Sequence, residues 1–145
     1  MRPIYEDKSD AVNEERLRAK VEGACYCKLY KVGMKYGADY FGFRANRAVS
    51  LVEMKNRTCE STTYDTYMIS LAKVKKCLEY GELLGVPFVV VVEWTDRTGY
   101  VTIDRSMVRK DTVRMQLQNF RGDKQDIEPR LHIGIDLFKP LGEKE

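Results

Sequence analysis

Three charged residues in this chain have the types and spacing that can work on a phosphate ester. Glu53 and Lys55 sit two apart in the run AVSLVEMK, and Asp39 precedes another apolar run, DYFGF. On a β-strand, residues i and i+2 share a face. Glu53 and Lys55 therefore project to one side and Met54 to the other. Between the two runs lies RANRA, which reads as a hairpin turn about Asn46. A turn centred there pairs residues whose numbers add to 92, so Asp39 faces Glu53, with Cβ atoms about 4.5–5.5 Å apart.

Facing carboxylates repel, and a buried pair does not comfortably carry two charges. A hard divalent cation resolves the conflict. Mg²⁺ takes oxygen ligands, commonly one or two carboxylates completed by water and phosphate oxygens. A lysine beside it can hold a phosphate oxygen or a water that is losing its proton. Cation and lysine together supply what phosphodiester hydrolysis requires: a nucleophile at neutral pH and compensation for charge at phosphorus. The same residues also allow a plainer reading. Glu53 and Lys55 would then be an ion pair on a solvated strand and Asp39 a turn residue, and a one-residue change of register would separate the acids.

A third acid comes from the first predicted helix, residues 10–24, with Asp10 as its cap and Gly23 near its end. Ala11, Leu17, Val21 and Ala24 form its apolar side, and Glu14 lies within that stripe. A carboxylate there needs a partner or a bound ion.

The elements that position these residues follow from patterning. Residues 25–33 read as a strand, followed by the two strands of the hairpin. Residues 56–66 are polar and read as a loop. A second helix is expected from Tyr67 to Leu84, with Tyr67, Leu71, Val74 and Leu78 as its stripe and Gly85 and Pro87 as its stop. PFVVVVEW, 87–94, is apolar enough to be covered on both faces, and GYVTI, 99–103, is a further strand. Residues 104–128 are polar without a clear period, and HIGIDLF, 132–138, reads as a last strand. The order predicts an α/β fold, a central mixed β-sheet flanked by α-helices.

The chain has 145 residues, enough for one domain, with a core at about 10–95 and C-terminal strands and a polar extension over 96–145. Lys and Arg outnumber Asp and Glu by 25 to 22, a net charge of +3 that permits a polyanionic partner without demanding one. No 18-residue apolar run exists, so no membrane span is expected, and MRPIYEDKSD lacks the apolar centre of a secretion signal. Cys25, Cys27, Cys59 and Cys77 match no common metal spacing and read as free thiols in a reducing cytoplasm. His132 is the single histidine, so no histidine-rich centre can form. It could act as a base or be an ordinary strand residue.

These residues together resemble the PD-(D/E)xK nuclease superfamily. The likeness rests on an acidic residue in the first helix, GAD at 37–39, a strand ending in E-x-K at 53–55, then a helix and a buried strand. It covers about residues 10–95. Ala38 stands where the name-giving proline would be. The resemblance implies a restriction endonuclease-like core and Mg²⁺-dependent (or Mn²⁺-dependent) cutting of DNA, with endonuclease action expected ahead of exonuclease action. Asp39, Glu53 and Glu14 would hold the metal, and Lys55 would position the attacking water. YDTYMISLAK, 64–73, resembles a segment of small phage-type members in which a helix lysine can face the site, here Lys73. The alternative is an inactive nucleic-acid-binding protein that keeps the fold.

DNA is thus the expected partner, whether duplex, branched or single-stranded. Arg44, Arg47, Arg57, Lys73 and Lys76 are candidate phosphate contacts. Arg105, Arg109, Lys110, Arg114 and Arg121 lie in the later polar stretch, and Tyr64, Tyr67 and Tyr80 could stack on bases. Symmetric cutting of two strands would call for a homodimer, though no dimer surface stands out. If the chain is of phage origin, its place is the host cytoplasm.

Overall fold

The computed structural model describes residues 8–31, 39–117 and 127–142. Helix α1 runs Lys8–Cys25, so Asp10 lies within its first turn and does not cap it. Strands β1 (Lys28–Lys31), β2 (Tyr40–Arg44) and β3 (Arg47–Asn56) follow. Strand β4 (Thr66–Ser70) leads straight into helix α2 (Leu71–Leu84). Then come β5 (Phe88–Glu93), β6 (Thr98–Ile103), β7 (Val113–Leu117), β8 (Ile127–Gly134) and the short β9 (Lys139–Pro140).

Six strands form one mixed sheet in the order β1-β2-β3-β5-β6-β9, and β4-β8-β7 form a second, antiparallel sheet. β3 and β5 are parallel, and their connection passes through α2, as parallel neighbours require. This is the mixed sheet with flanking helices expected from the sequence.

The two faces of the large sheet bury different clusters. Leu17 and Val21 of α1 pack on Leu29, Tyr40, Val52, Met54 and Val91. Val74, Cys77 and Leu78 of α2 pack on Leu51, Val90, Val92 and the inner residues of β4 and β8. Val90, Val91 and Val92 are at most 1% exposed, which explains the unbroken apolar run of β5. Each such side chain contributes about 1.5–3 kcal/mol of burial. Tyr67, Phe138 and Trp94 meet edge to face in turn and join the small sheet to the large one.

Several expectations are corrected. The second helix starts at Leu71, not Tyr67. Thr66–Ser70 alternates buried and half-buried side chains and pairs with β8, and Ser70 Oγ then accepts the Lys73 amide as the helix cap. The strand expected at 132–138 begins earlier, at Ile127, and turns into a 3₁₀ helix at Ile135–Leu137. The polar stretch after 103 contains β7, which the sequence did not reveal. The strand expected over 25–33 is confined to Lys28–Lys31 among the described residues, and Gly37 and Ala38 lie outside them. Gly85 ends α2 at φ 70°, the left-handed conformation for which glycine is suited. Among the described residues no helix is long and apolar enough to cross a membrane.

Candidate active site

The hairpin that carries the site has two irregularities that cancel. Ala45 and Asn46 both have positive φ, 51° and 64°, the pattern of a two-residue type I′ turn. Such a turn pairs Arg44 with Arg47 and Phe43 with Ala48, residues whose numbers sum to 91. A bulge then inserts one residue on β3, and Gly42 pairs with Ser50, Phe41 with Leu51 and Tyr40 with Val52, summing to 92. The next step brings Asp39 beside Glu53. Asp39 Oδ2 accepts the Met54 amide at 3.0 Å and ties the two strand ends together. Gly42 sits at the bulge because a Cβ there would meet Ser50 Oγ at 2.5 Å.

Glu53 is fully buried, at 0% exposure. Burial, with the nearby Asp39 carboxylate, pushes its pKa up to about 7 against the pull of Lys73 and Lys55. Its Oε1 accepts from Lys73 Nζ at 2.9 Å and lies 3.9 Å from Lys55 Nζ. Its Oε2 is buried and has no hydrogen-bond partner among the described residues. Burial alone would lower the Lys73 pKa, but Glu53 and Asp39 outweigh it and hold the ammonium above its usual value. Burial pushes the Cys77 thiol up to about 12, with Glu53 adding to the effect. The structure thus brings Asp39, Glu53, Lys55 and Lys73 together.

Glu14 is placed differently. It lies on the α1 side, where its Oε1 accepts from the Tyr40 hydroxyl at 2.5 Å and pairs with Lys31 Nζ at 3.2 Å. Burial raises its pKa, but these partners more than offset that and hold it below the ordinary value. Tyr40 links it to the pair: burial, Glu14 and Asp39 together drive the phenol well above its usual range. Among the described residues no three acids, cysteines or histidines cluster closely enough to hold a metal ion.

The candidate phosphate contacts separate by position. Arg57 stacks over the Tyr67 ring, 4.9 Å from its centroid, just past the E-x-K segment. Arg44 donates to the backbone carbonyls of Cys25 and Tyr26, and Arg44 and Arg47 lie at the turn end of the hairpin. Six residue steps along β3, roughly 20 Å, separate Arg47 from Glu53. Lys76 is exposed on α2. Arg105 pairs with Glu82 and Arg109 with Asp111, and Arg121 lies outside the described residues. Tyr64 is exposed, whereas Tyr67 is buried in the core. His132 lies on β8, its Nδ1 2.9 Å from Thr66 Oγ1. Burial, then Arg114 and Arg130, depress its pKa.

One pairing escaped sequence reading. Glu93 is held by Arg16 of α1 and by Asn56. The signal available was its place at the end of an apolar strand, where a buried-edge carboxylate needs a donor.

With this geometry in view, comparison with known proteins places the chain. A family model described as "Phage putative PDDEXK endonuclease" matches residues 1–141, and the chain belongs to that family. Among solved structures it is similar to the Holliday junction resolvase Hjc of Archaeoglobus fulgidus, an archaeal hyperthermophile. That likeness has a TM-score of 0.60 at 11% identity and covers 92% of each chain. It establishes a restriction endonuclease-like fold. No curated protein matches the chain.

Proposed function

We propose that this protein is a divalent-metal-dependent endonuclease that hydrolyses phosphodiester bonds of DNA. One observation carries the reading. A fully buried glutamate faces a second carboxylate, keeps one oxygen without a hydrogen-bond partner among the described residues, and has two lysine ammoniums within 3.9 Å of the other. A structural ion pair leaves no reason for the second acid or the orphaned oxygen. Hard carboxylate oxygens of this kind suit Mg²⁺, or Mn²⁺ in its place.

Asp39 and Glu53 would hold the ion, which when bound lowers the pKa of water and offsets charge at phosphorus. Lys55, half exposed, reaches solvent and is assigned the attacking water or a non-bridging phosphate oxygen. Lys73 fixes the Glu53 rotamer and keeps positive charge in the site. Glu14 is assigned a positioning role through Tyr40, the neighbour of Asp39 in the chain. Arg57, Lys73 and Lys76 would contact phosphates near the cut. The four unpaired thiols suit the reducing cytoplasm.

The test is cleavage of supercoiled plasmid, linear duplex, single strand and four-way junction with Mg²⁺, Mn²⁺ or EDTA. Cutting is expected with either metal and not in EDTA. Lys55→Ala and Glu53→Gln should each lose at least about 100-fold with folding intact. DNA binding without cutting under every condition would make the protein an inactive binder and overturn the proposal.

A further inference from the structure

The outer third of the large sheet presents aromatic rings on the same face as the candidate carboxylates. Tyr40 and Gly42 of β2 point toward α1, so Phe41 and Phe43 point the other way. Phe41 pairs with Leu51, which shares its face with Glu53 and Lys55. Tyr30 pairs with Phe41 and Lys28 with Phe43, while Leu29 between them belongs to the α1 side. Tyr30, Phe41 and Phe43 therefore line one surface that runs into Asp39 and Glu53.

The rings touch in sequence. Tyr30 and Phe43 meet edge to face at 5.4 Å between centroids, and Phe43 and Phe41 lie 6.4 Å apart. Tyr30 is 60% exposed, and both phenylalanines are half-buried. Helix α2 packs chiefly on β3, β4, β5 and β8, short of this part of the sheet. Charge on the surface suits a polyanion. Lys28 stands at its outer end and Lys55 and Lys73 at its inner end. Among the described residues of β1, β2 and β3 on this face, Glu53 is the one carboxylate, with Asp39 just before β2.

We propose that Tyr30, Phe43 and Phe41 form a stacking platform for unpaired bases of the strand held at Asp39 and Glu53. The substrate class is then single-stranded or branched nucleic acid, not uninterrupted duplex. Rings offer a sequence-tolerant surface to a base whose face is free, and duplex bases have no free face. The spacing suits it. At about 3.3 Å per strand residue, Phe41 lies roughly 7 Å and Phe43 roughly 13 Å from Asp39, so the rings are met in turn by a strand that runs along β2. This inference rests on the nuclease reading for the direction of the strand.

The test is fluorescence anisotropy in EDTA with a labelled oligonucleotide, single-stranded or annealed to its complement, on the full chain. Tyr30→Ala and the volume-conserving Phe43→Leu should each weaken single-strand binding by about 5- to 100-fold and change duplex binding by less than about twofold. Tyr30→Trp should bind the single strand at least as tightly as the parent protein. Equal losses on both ligands, or no loss, would overturn the platform. So would unchanged binding together with a change in oligomeric state, which would assign the surface to a second copy. Hydrolysis of bis(p-nitrophenyl) phosphate by the parent protein with Mn²⁺ separates the two ideas, because that ester has no bases. No hydrolysis of this ester or of any of the DNA substrates, with selective single-strand losses, would sink the nuclease reading and leave the platform standing.

Discussion

Lys73 Nζ reaches Glu53 Oε1 at 2.9 Å from the first turn of α2, across the face of the large sheet. A fully buried carboxylate is thereby satisfied at one oxygen, while the other has no hydrogen-bond partner among the described residues. That asymmetry governs how the site should respond to charge.

Removing the partner should expose it. Lys73→Ala leaves a buried carboxyl without its donor and should destabilise the metal-free protein by about 1–3 kcal/mol. Added Mg²⁺ should restore part of that loss, so its effect on Tm should be larger in the variant than in the parent. Thermal unfolding with and without Mg²⁺ checks this; equal shifts would mean that the ion does not bind at Glu53.

The pH dependence has a definite sign. Folded Glu53 keeps its proton up to about pH 7, whereas an ordinary glutamate releases it near 4.5. The folded state binds more protons in that window, so stability should fall as pH rises from about 4.5 to about 7 and then level off. The size is on the order of 3 kcal/mol. Glu14 and Glu93 are held low, and their contributions are lost below the window, not within it. His132, held below its ordinary 6.5, adds a rise of stability with pH inside the window, and because it is the same in Glu53→Gln the Glu53 term is the difference between the two profiles. Urea unfolding without metal should show the slope in the parent protein and a flatter profile in Glu53→Gln.

The bulge invites a register test. Inserting one alanine after Val49, with the single bulge kept, would shift every pair beyond it by one residue and set Asp39 beside Val52. The acids would then fall on opposite faces. Cleavage should drop to background, while circular dichroism should show that most secondary structure persists. Retained activity would mean that Asp39 need not face Glu53.

Glu14 and Tyr40 should act as a unit. If Glu14 works through the Tyr40 hydroxyl, Glu14→Gln and Tyr40→Phe should lower cleavage by similar factors, about 3- to 30-fold. The double variant should lose little more than either alone. Additive losses, or weaker metal binding in Glu14→Gln only, would make Glu14 a direct ligand.

Much of this arrangement was readable from local rules. Two residues apart on a strand is enough to put Glu53 and Lys55 together, and valines on both faces mark β5 as central. The register was reached by a different route from the one assumed. A turn centred on Asn46 would give 92 directly, whereas the molecule makes 91 at the turn and adds one at the bulge. Nothing in RANRAVS announces a bulge except the glycine opposite it, and that meaning depends on a pairing not yet known. Tyr67 was misread because Tyr67, Leu71, Val74 and Leu78 fit a helical stripe. Its strand state comes from pairing with Ile133, some 66 residues later, which no local window contains. Glu14 has the right period for the buried side of α1, but the side of the sheet that α1 covers is decided by the whole fold.

Ser70 has two roles that join the halves of the molecule. It is the last rung of β4, opposite Arg130, and it is the cap that begins α2 three residues before Lys73. The junction contains no slack. A slip of β4 against β8 would therefore rotate the start of the helix and draw the ammonium off its acid. Distant changes on the small sheet should be felt at the candidate site as a loss of alignment between Lys73 and Glu53.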